Sequence, residues 1–371
     1  MKSKKLIKEI RYLPLEDGRL KAVIRTRRSV YATRLRFRGA DCPDAFNDRE
    51  PYDKKTHVFY LPAPLPATEE TLTFLCKQKK KNKRDKCVPF VFGVPVPEEK
   101  AALLEECDSR FVSKSRENHV LCPGAEHIHH LCEDKNGMPV HVHEIIFDSR
   151  KASLYVGTPE DGYKNKRVRA KVPAMLEAAV KNGVHAVAAV NADFFDIWGD
   201  FHPSGLCVKN GRVVANPDSD RPFIGVTKDG APVIASLKED PSLLSKLEHA
   251  AAGLQMIVKD GQLFDWAPLE PFGFVRHPRT AAGVTKDGKV ILLEVDGRIP
   301  AYSNGATLVD LGRWMLSRGA DRAINLDGGG SSIVYIKEGN EYTLQSNPAD
   351  LFRPNAMLIR KEFNCLIVTE Q

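Results

Sequence analysis

Two short stretches place an amide and a carboxylate two residues apart after an apolar run: Asn191-Ala192-Asp193 and Asn325-Leu326-Asp327. Side chains alternate along a strand, so each amide shares a face with its carboxylate while the strand stays regular, and two such ends can close one polar pocket. The second stretch runs on into Gly328, Gly329, Gly330, Ser331 and Ser332. Three consecutive glycines cost backbone entropy, and a chain keeps them where positive φ or a close backbone approach is needed. Successive bare N–H groups form a concavity suited to phosphate, and the two hydroxyls add donors. A plain Asp-Gly hairpin is the alternative, although it needs one glycine and not three. A P-loop is excluded, because no Gly-Lys-Ser/Thr follows and residues 333–336 read as a strand rather than a helix.

The elements that must position these groups are legible around them. Residues 172–183 read as a helix with Pro173 in its first turn and Asn182-Gly183 as its stop, feeding the apolar run 184–190. Residues 307–319 repeat the plan: Thr307 and Asp310 make a capping box, Leu308, Leu311 and Met315 a buried stripe, and Gly319 the end. Between them lies an internal repeat. Residues 221–230 match residues 279–288, each closing on Gly-Val-Thr-Lys-Asp-Gly, and each copy follows a Val-Lys-x-Gly turn at 208–211 or 258–261. Paired hairpins with Asn-Gly or Asp-Gly turns account for most of the repeat. Arg279 is set apart from it, beside His277 at a strand start, where its planar fork suits a phosphate. The fold class expected is α+β: a mixed β-sheet with hairpin repeats and two main helices, preceded by a small β-rich N-terminal domain. Many Asp-Gly hairpins disfavour a doubly wound parallel sheet.

With Asn191-Ala-Asp-Phe-Phe, Arg279-Thr-Ala-Ala-Gly-Val, Val295-Asp-Gly-Arg298, Gly305-Ala-Thr-Leu, Ile324-Asn-Leu-Asp-Gly-Gly-Gly-Ser-Ser332 and Arg353-Pro-Asn in this order, the chain resembles the phosphodiester glycosidase family. The resemblance begins near residues 120–124 and runs to about 360. It implies a hydrolase that cleaves the sugar C1–O bond of a sugar-1-phosphodiester of the N-acetylglucosamine type, releasing free sugar and a phosphomonoester; relatives include exopolysaccharide-associated bacterial proteins. A phosphate leaves more readily than an alkoxide, so such a site needs anion stabilisation, with carboxylates assisting an oxocarbenium-like centre or water. The residues suggested are Asp327 as base or nucleophile, Asp193, Asn191 and Asn325 orienting sugar or water, Arg279, His277 and residues 328–332 on the phosphate, and Arg298 as a second cation. A metal-dependent phosphodiesterase or nuclease cutting P–O would use the same carboxylates, and a non-catalytic sugar-phosphate binding protein would keep the glycines alone.

Asp193, Asp196 and Asp327 form an all-oxygen set that suits Ca²⁺ or Mg²⁺, although acid/base carboxylates leave the same signature. His127, His129, His130, Cys132, His141 and His143 fit no zinc template, even though a hairpin would gather four of the histidines, and read as packed or surface residues. Eight cysteines without a Cys-x-x-Cys pair read as reduced thiols. The N-terminus carries charge without an apolar core, so no signal peptide is expected; the expected location is cytoplasmic, or secreted if the start has been trimmed, and no apolar run approaches a membrane span. At 371 residues, 42% hydrophobic and 28% charged, the chain is long and apolar enough for two folded domains. Residues 1–118 hold 27 Lys+Arg against 17 Asp+Glu, a balance of +10, and the remainder 28 against 31, a balance of −3. The expected division is a basic β-rich accessory domain over 1–118, the glycosidase-like domain over 119–361 and a tail over 362–371. The lysine-rich run 77–86 reads as a solvated hairpin tip or as a handle for an anionic partner.

Overall fold

The computed structural model describes residues 111–134, 136–197, 199–216, 219–264, 275–349 and 359–371, together with the backbone of strands before residue 95. Two compact units emerge, Met1–Asp108 with Asp265–Val275, and Ser109–Phe264 with Arg276–Gln371. In the first unit lie β1 (Ile7–Pro14), β2 (Leu20–Thr26), β3 (Tyr31–Phe37), β4 (Ala40–Cys42), β5 (Thr56–Leu61), β6 (Glu70–Lys77) and β7 (Cys87–Val94). They make two antiparallel sheets of order β1-β2-β5 and β4-β3-β6-β7. Residues 78–86 of the lysine-rich run, and the Arg353-Pro-Asn motif, lie outside the described residues.

The second unit follows with β8 (Val112–Cys122), β9 (Ala125–Glu133), β10 (Pro139–Asp148), β11 (Ala152–Gly157), α1 (Val172–Lys181) and β12 (Ala186–Asn191). Next come β13 (Cys207–Lys209), β14 (Arg212–Ala215), β15 (Phe223–Thr227), β16 (Pro232–Ala235), α2 (Leu243–Lys246), β17 (Leu247–Ala252), β18 (Gln255–Lys259) and β19 (Gln262–Leu263). The last are β20 (Arg279–Thr285), β21 (Lys289–Val295), α3 (Leu308–Ser317), β22 (Ala320–Asn325), β23 (Val334–Glu338), β24 (Glu341–Leu344) and β25 (Cys365–Glu370). Three sheets result, of order β19-β18-β22-β20-β21-β10-β9-β8, β11-β25-β12-β23-β24 and β14-β13-β17-β15-β16.

Alternation along the strands builds the core. Val290 and Leu292 of β21, Ala282 of β20, Val190 of β12, Leu366 and Val368 of β25, and Ile224 of β15 meet in one apolar cluster shared by all three sheets. The opposite face of the β12–β25 sheet carries Ala189, Ile367 and Tyr335, against which α1 buries Val172, Met175, Leu176 and Ala179 at helical spacing. On the eight-stranded sheet, Met315 of α3 packs over Gly283 of β20, where a Cβ would fall 2.9 Å from its sulfur. The capping box is present: the Thr307 hydroxyl accepts from the Asp310 amide at 3.1 Å, and the Asp310 carboxylate accepts from the Thr307 amide at 2.8 Å.

The fold class is therefore not a balanced α+β architecture with a mixed sheet. Every recorded strand pairing is antiparallel, and the described helices are α1, α3 and the single turn of α2, with two short 3₁₀ turns. The physical reason lies between the helices, where short hairpins follow one another and each closes on a local turn instead of crossing over a sheet face. At Asn210-Gly211 and Asp260-Gly261 both turn residues have positive φ, the pattern of a tight two-residue hairpin. The segment set apart as a C-terminal tail includes β25, which sits between β11 and β12 inside a sheet. Among the described residues, no helix is long and apolar enough to cross a membrane.

Candidate active site

The polar residues singled out above collect where several strands of the second unit begin or end. β12 ends at Asn191 and β22 at Asn325, β20 begins at Arg279, β21 ends at Val295, and β25 is preceded by residues 359–364. Asn191 is the staple among them. Its Oδ1 accepts from the Thr280 hydroxyl at 2.8 Å and the Ile333 amide at 3.2 Å, and its Nδ2 donates to the Asp327 carbonyl at 2.6 Å. Both ends of the carboxamide are thus spent on three chain segments, which makes Asn191 a positioning residue for the turn that carries Asp327.

That turn holds its own anion. The Gly328 amide donates to Asp327 Oδ1 at 2.8 Å and the Ser331 hydroxyl to Oδ2 at 2.7 Å. The Gly329 amide donates to the Pro278 carbonyl, and the Ser331 and Ser332 amides close back on Gly328 and Gly329. The glycines therefore serve mainly to seat a carboxylate and to bring backbone close to β20. A Cβ at Gly328 would sit 2.9 Å from the Pro278 carbonyl oxygen. Gly329 is more constrained, with φ of +67° and the Nη2 of Arg298 at 2.6 Å from where a Cβ would stand. Gly329→Ala should destabilise the fold by about 1–3 kcal/mol and displace Arg298, as chemical denaturation would measure. A change below about 0.5 kcal/mol would show the turn to be free to relax.

Three carboxylates meet here. Burial raises Asp327 above its ordinary value, opposed by the Ser331 hydroxyl, Arg360, the Gly328 amide and Arg298. Glu362 is buried; burial first, then the neighbouring Asp327 charge, push it up to about 8 against the pull of Arg360 and of the nearby Ser331 hydroxyl. Asp193 is also buried, its Oδ2 accepting from the Gly205 amide at 2.9 Å while Oδ1 has no hydrogen-bond partner. Burial drives it well above the carboxylate range, and Asp327 adds repulsion. The Asp193 amide donates to Asn364 Oδ1 at 2.9 Å. Around these acids, Arg360 donates to the Ser331 hydroxyl at 3.1 Å, Arg298 donates to the Ala349 carbonyl at 3.0 Å, and the buried Arg279 donates to the Ala306 carbonyl at 3.2 Å. Burial and the charges of Arg279 and Arg298 lower His277 to about 3, so it is a neutral imidazole at physiological pH. Ser332 is buried with its oxygen 3.4 Å from the Thr280 hydroxyl, facing the interior.

Two other residues of the expected set are placed elsewhere. The Asn325 side chain accepts from the Gln255 amide at 3.1 Å, holding β18 to β22. Asp196 is exposed and caps the Gly199 amide at 2.9 Å. Among the described residues, Asp193, Asp196 and Asp327 do not form a group with ligand spacing. Sequence reasoning missed Glu362, Arg360 and Asn364. Their one mark in the sequence is the charged stretch Arg360-Lys361-Glu362 just ahead of the apolar run 365–368, which repeats neither of the Asn-x-Asp ends.

The family profile described as phosphodiester glycosidase matches residues 184–360. A SPbeta prophage-derived uncharacterized protein, YomE, of Bacillus subtilis is 42% identical over 86 residues, 22% of this chain and 13% of that protein. The N-acetylglucosamine-1-phosphodiester alpha-N-acetylglucosaminidase of Mus musculus is 24% identical over 183 residues, 45% of this chain, and that of Bos taurus 27% over 167 residues. The chain spans about a third of these two curated proteins, 34% and 31% of their length. In fold, the chain is similar to the zebrafish catalytic domain of that name, auto-inhibited by its pro-peptide, with a TM-score of 0.54 and 23% identity over 70% of this chain and 89% of that one. A hypothetical protein from Synechocystis gives 0.51 at 13% identity, covering 99% of this chain and 80% of its own. With the Asp-Gly-Gly-Gly-Ser-Ser turn inside the matched stretch, residues 184–360 are a domain of the phosphodiester glycosidase family.

Proposed function

We propose that this protein hydrolyses the C1–O bond of a sugar-1-phosphodiester of the N-acetylglucosamine type, releasing free sugar and a phosphomonoester. The observation that carries the reading is the pair Asp327 and Glu362, two adjacent acids with unequal surroundings, set among Arg298 and Arg360. Unequal environments are how one site holds an acid and a base at the same pH. Asp327, with two donors and two cations favouring its charge, is the ionised member. Glu362, lifted to about 8 by burial and by the Asp327 charge, keeps the proton.

Water attacking C1 gives its proton to Asp327 while the C1–O bond breaks and its electron pair leaves on the phosphate oxygen. Glu362 hands its proton to that oxygen, and transfer from Asp327 to Glu362 restores the starting state. Arg298 and Arg360 balance the phosphate charge, with Arg279 in support, since a guanidinium fork matches phosphate oxygens. Hydrolysis of an N-acetylglucosamine-α-1-phosphodiester in ¹⁸O-labelled water tests the bond that breaks. Label in the free sugar is expected. Label in the phosphate would make the reaction a P–O cleavage and overturn the assignment.

A further inference from the structure

A second cluster of ligating atoms lies in the eight-stranded sheet. One ring nitrogen of His143 and one oxygen each of Glu294 and Asp296 all fall within 4.8 Å of one another. His143 on β10 and Glu294 on β21 are direct cross-strand partners, and Asp296 follows Glu294 by two residues. Alternation therefore turns all three to the face that carries Val290 and Leu292. Their exposures are 3%, 0% and 1%.

Asp296 has donors: the Asn347 amide reaches its Oδ1 at 2.7 Å and the Tyr302 hydroxyl its Oδ2 at 3.1 Å. No donor reaches either oxygen of Glu294, whose one hydrogen-bond partner is the Asp296 carboxyl through a shared proton, and His143 has no hydrogen bond at Nε2, which stands 3.7 Å from Asp296 Oδ2. Two buried carboxylates this close need either a shared proton or a cation. The imidazole separates these choices. A proton held between the acids leaves Nε2 idle, whereas a cation engages all three groups. The ring is also held from behind, with its Nδ1 3.2 Å from His127 Nε2. Metal-bound imidazoles are oriented in this way through their other nitrogen.

We infer that His143, Glu294 and Asp296 form a buried divalent-cation site of the zinc type. One imidazole and two carboxylates suit a borderline ion better than the all-oxygen preference of Ca²⁺ or Mg²⁺. Three protein ligands leave Zn²⁺ a fourth position. The ion neutralises the paired acids and anchors the start of the segment 296–298, which delivers Arg298 to Gly329.

The test is calorimetric titration of the metal-stripped protein with Zn²⁺, with metal content read by mass spectrometry and melting followed by circular dichroism. One equivalent bound and a raised Tm are expected. Glu294→Gln should weaken Zn²⁺ by at least about 100-fold, and His127→Phe, which removes only the orienting partner, by about 10–100-fold. His143→Gln gives the same reading should Glu294→Gln not fold. A folded protein that takes up no Zn²⁺ would overturn the site in favour of a shared proton. Binding undiminished in Glu294→Gln and His143→Gln would also overturn it, placing the ion at the exposed His119 end of the histidine stack.

Discussion

Asp327→Asn is expected to lower kcat by roughly 10³–10⁴-fold while leaving the melting curve close to that of the parent, since removal of a positioned base costs about this much. The carboxamide has the same shape as the carboxylate, so its oxygen can still accept from the Gly328 amide and the turn keeps its seat against Pro278. What disappears is the charge that receives a proton at C1. KM should change little, because the phosphate is held by Arg298 and Arg360 and not by the acid. Steady-state rates on a sugar-1-phosphodiester, paired with a thermal melt, decide it. A folded variant within about tenfold of the parent rate would remove Asp327 from the chemistry.

Glu362→Gln carries the second large effect, and its signature is a pH profile. Burial and the Asp327 charge lift Glu362 to about 8, so the side chain is protonated and competent below that pH and loses its proton above it. The parent kcat/KM should therefore fall on the alkaline side of about pH 8, by about tenfold per unit. Glutamine cannot titrate. The variant should lose roughly 100-fold in kcat/KM at pH 7 and show no alkaline limb near 8. Because the two acids interact, the limb belongs to the pair, and Asp327→Asn should shift it downward by removing the repulsion. An alkaline limb that survives unchanged in Glu362→Gln would assign it to another group and defeat the acid role.

Much of this site could be read from residue types alone. The Asp-Gly-Gly-Gly-Ser-Ser string marks a special backbone, and the structure brings it against Pro278 and Arg298, which no spacing rule would specify. Both ten-residue helices were legible from their start and stop chemistry, Thr307 with Asp310 most clearly. The expectation of a phosphate nest over 328–332 differs from the amide bonding seen: the amides of Gly328, Gly329, Ser331 and Ser332 are occupied by Asp327 and by neighbouring carbonyls. Composition cannot tell whether bare amides will face a ligand or the chain's own carboxylate. The sheet type was misread because a helix feeding a strand looks the same locally whether the strand pairs parallel or antiparallel; the partner that decides it lies far along the chain. Glu362 escaped for the same reason. Its meaning comes from Asp327, and a single acid before an apolar run has no periodic signature.

β25 lies between β11 and β12, strands that precede it by well over a hundred residues of chain. Until residues 365–370 have been synthesised, β11 and β12 each lack that neighbour, and the buried row Ala186–Asn191 has an open hydrogen-bonding edge. Assembly of this sheet thus waits on one of the longest loop closures in the chain, which sets a slow rhythm for folding and leaves a window for edge-to-edge misassociation. Glu362 and Asn364 arrive with the same strand. Catalytic competence should consequently mature with the final closure of the sheet, so that recovery of turnover after dilution from denaturant reports that one event.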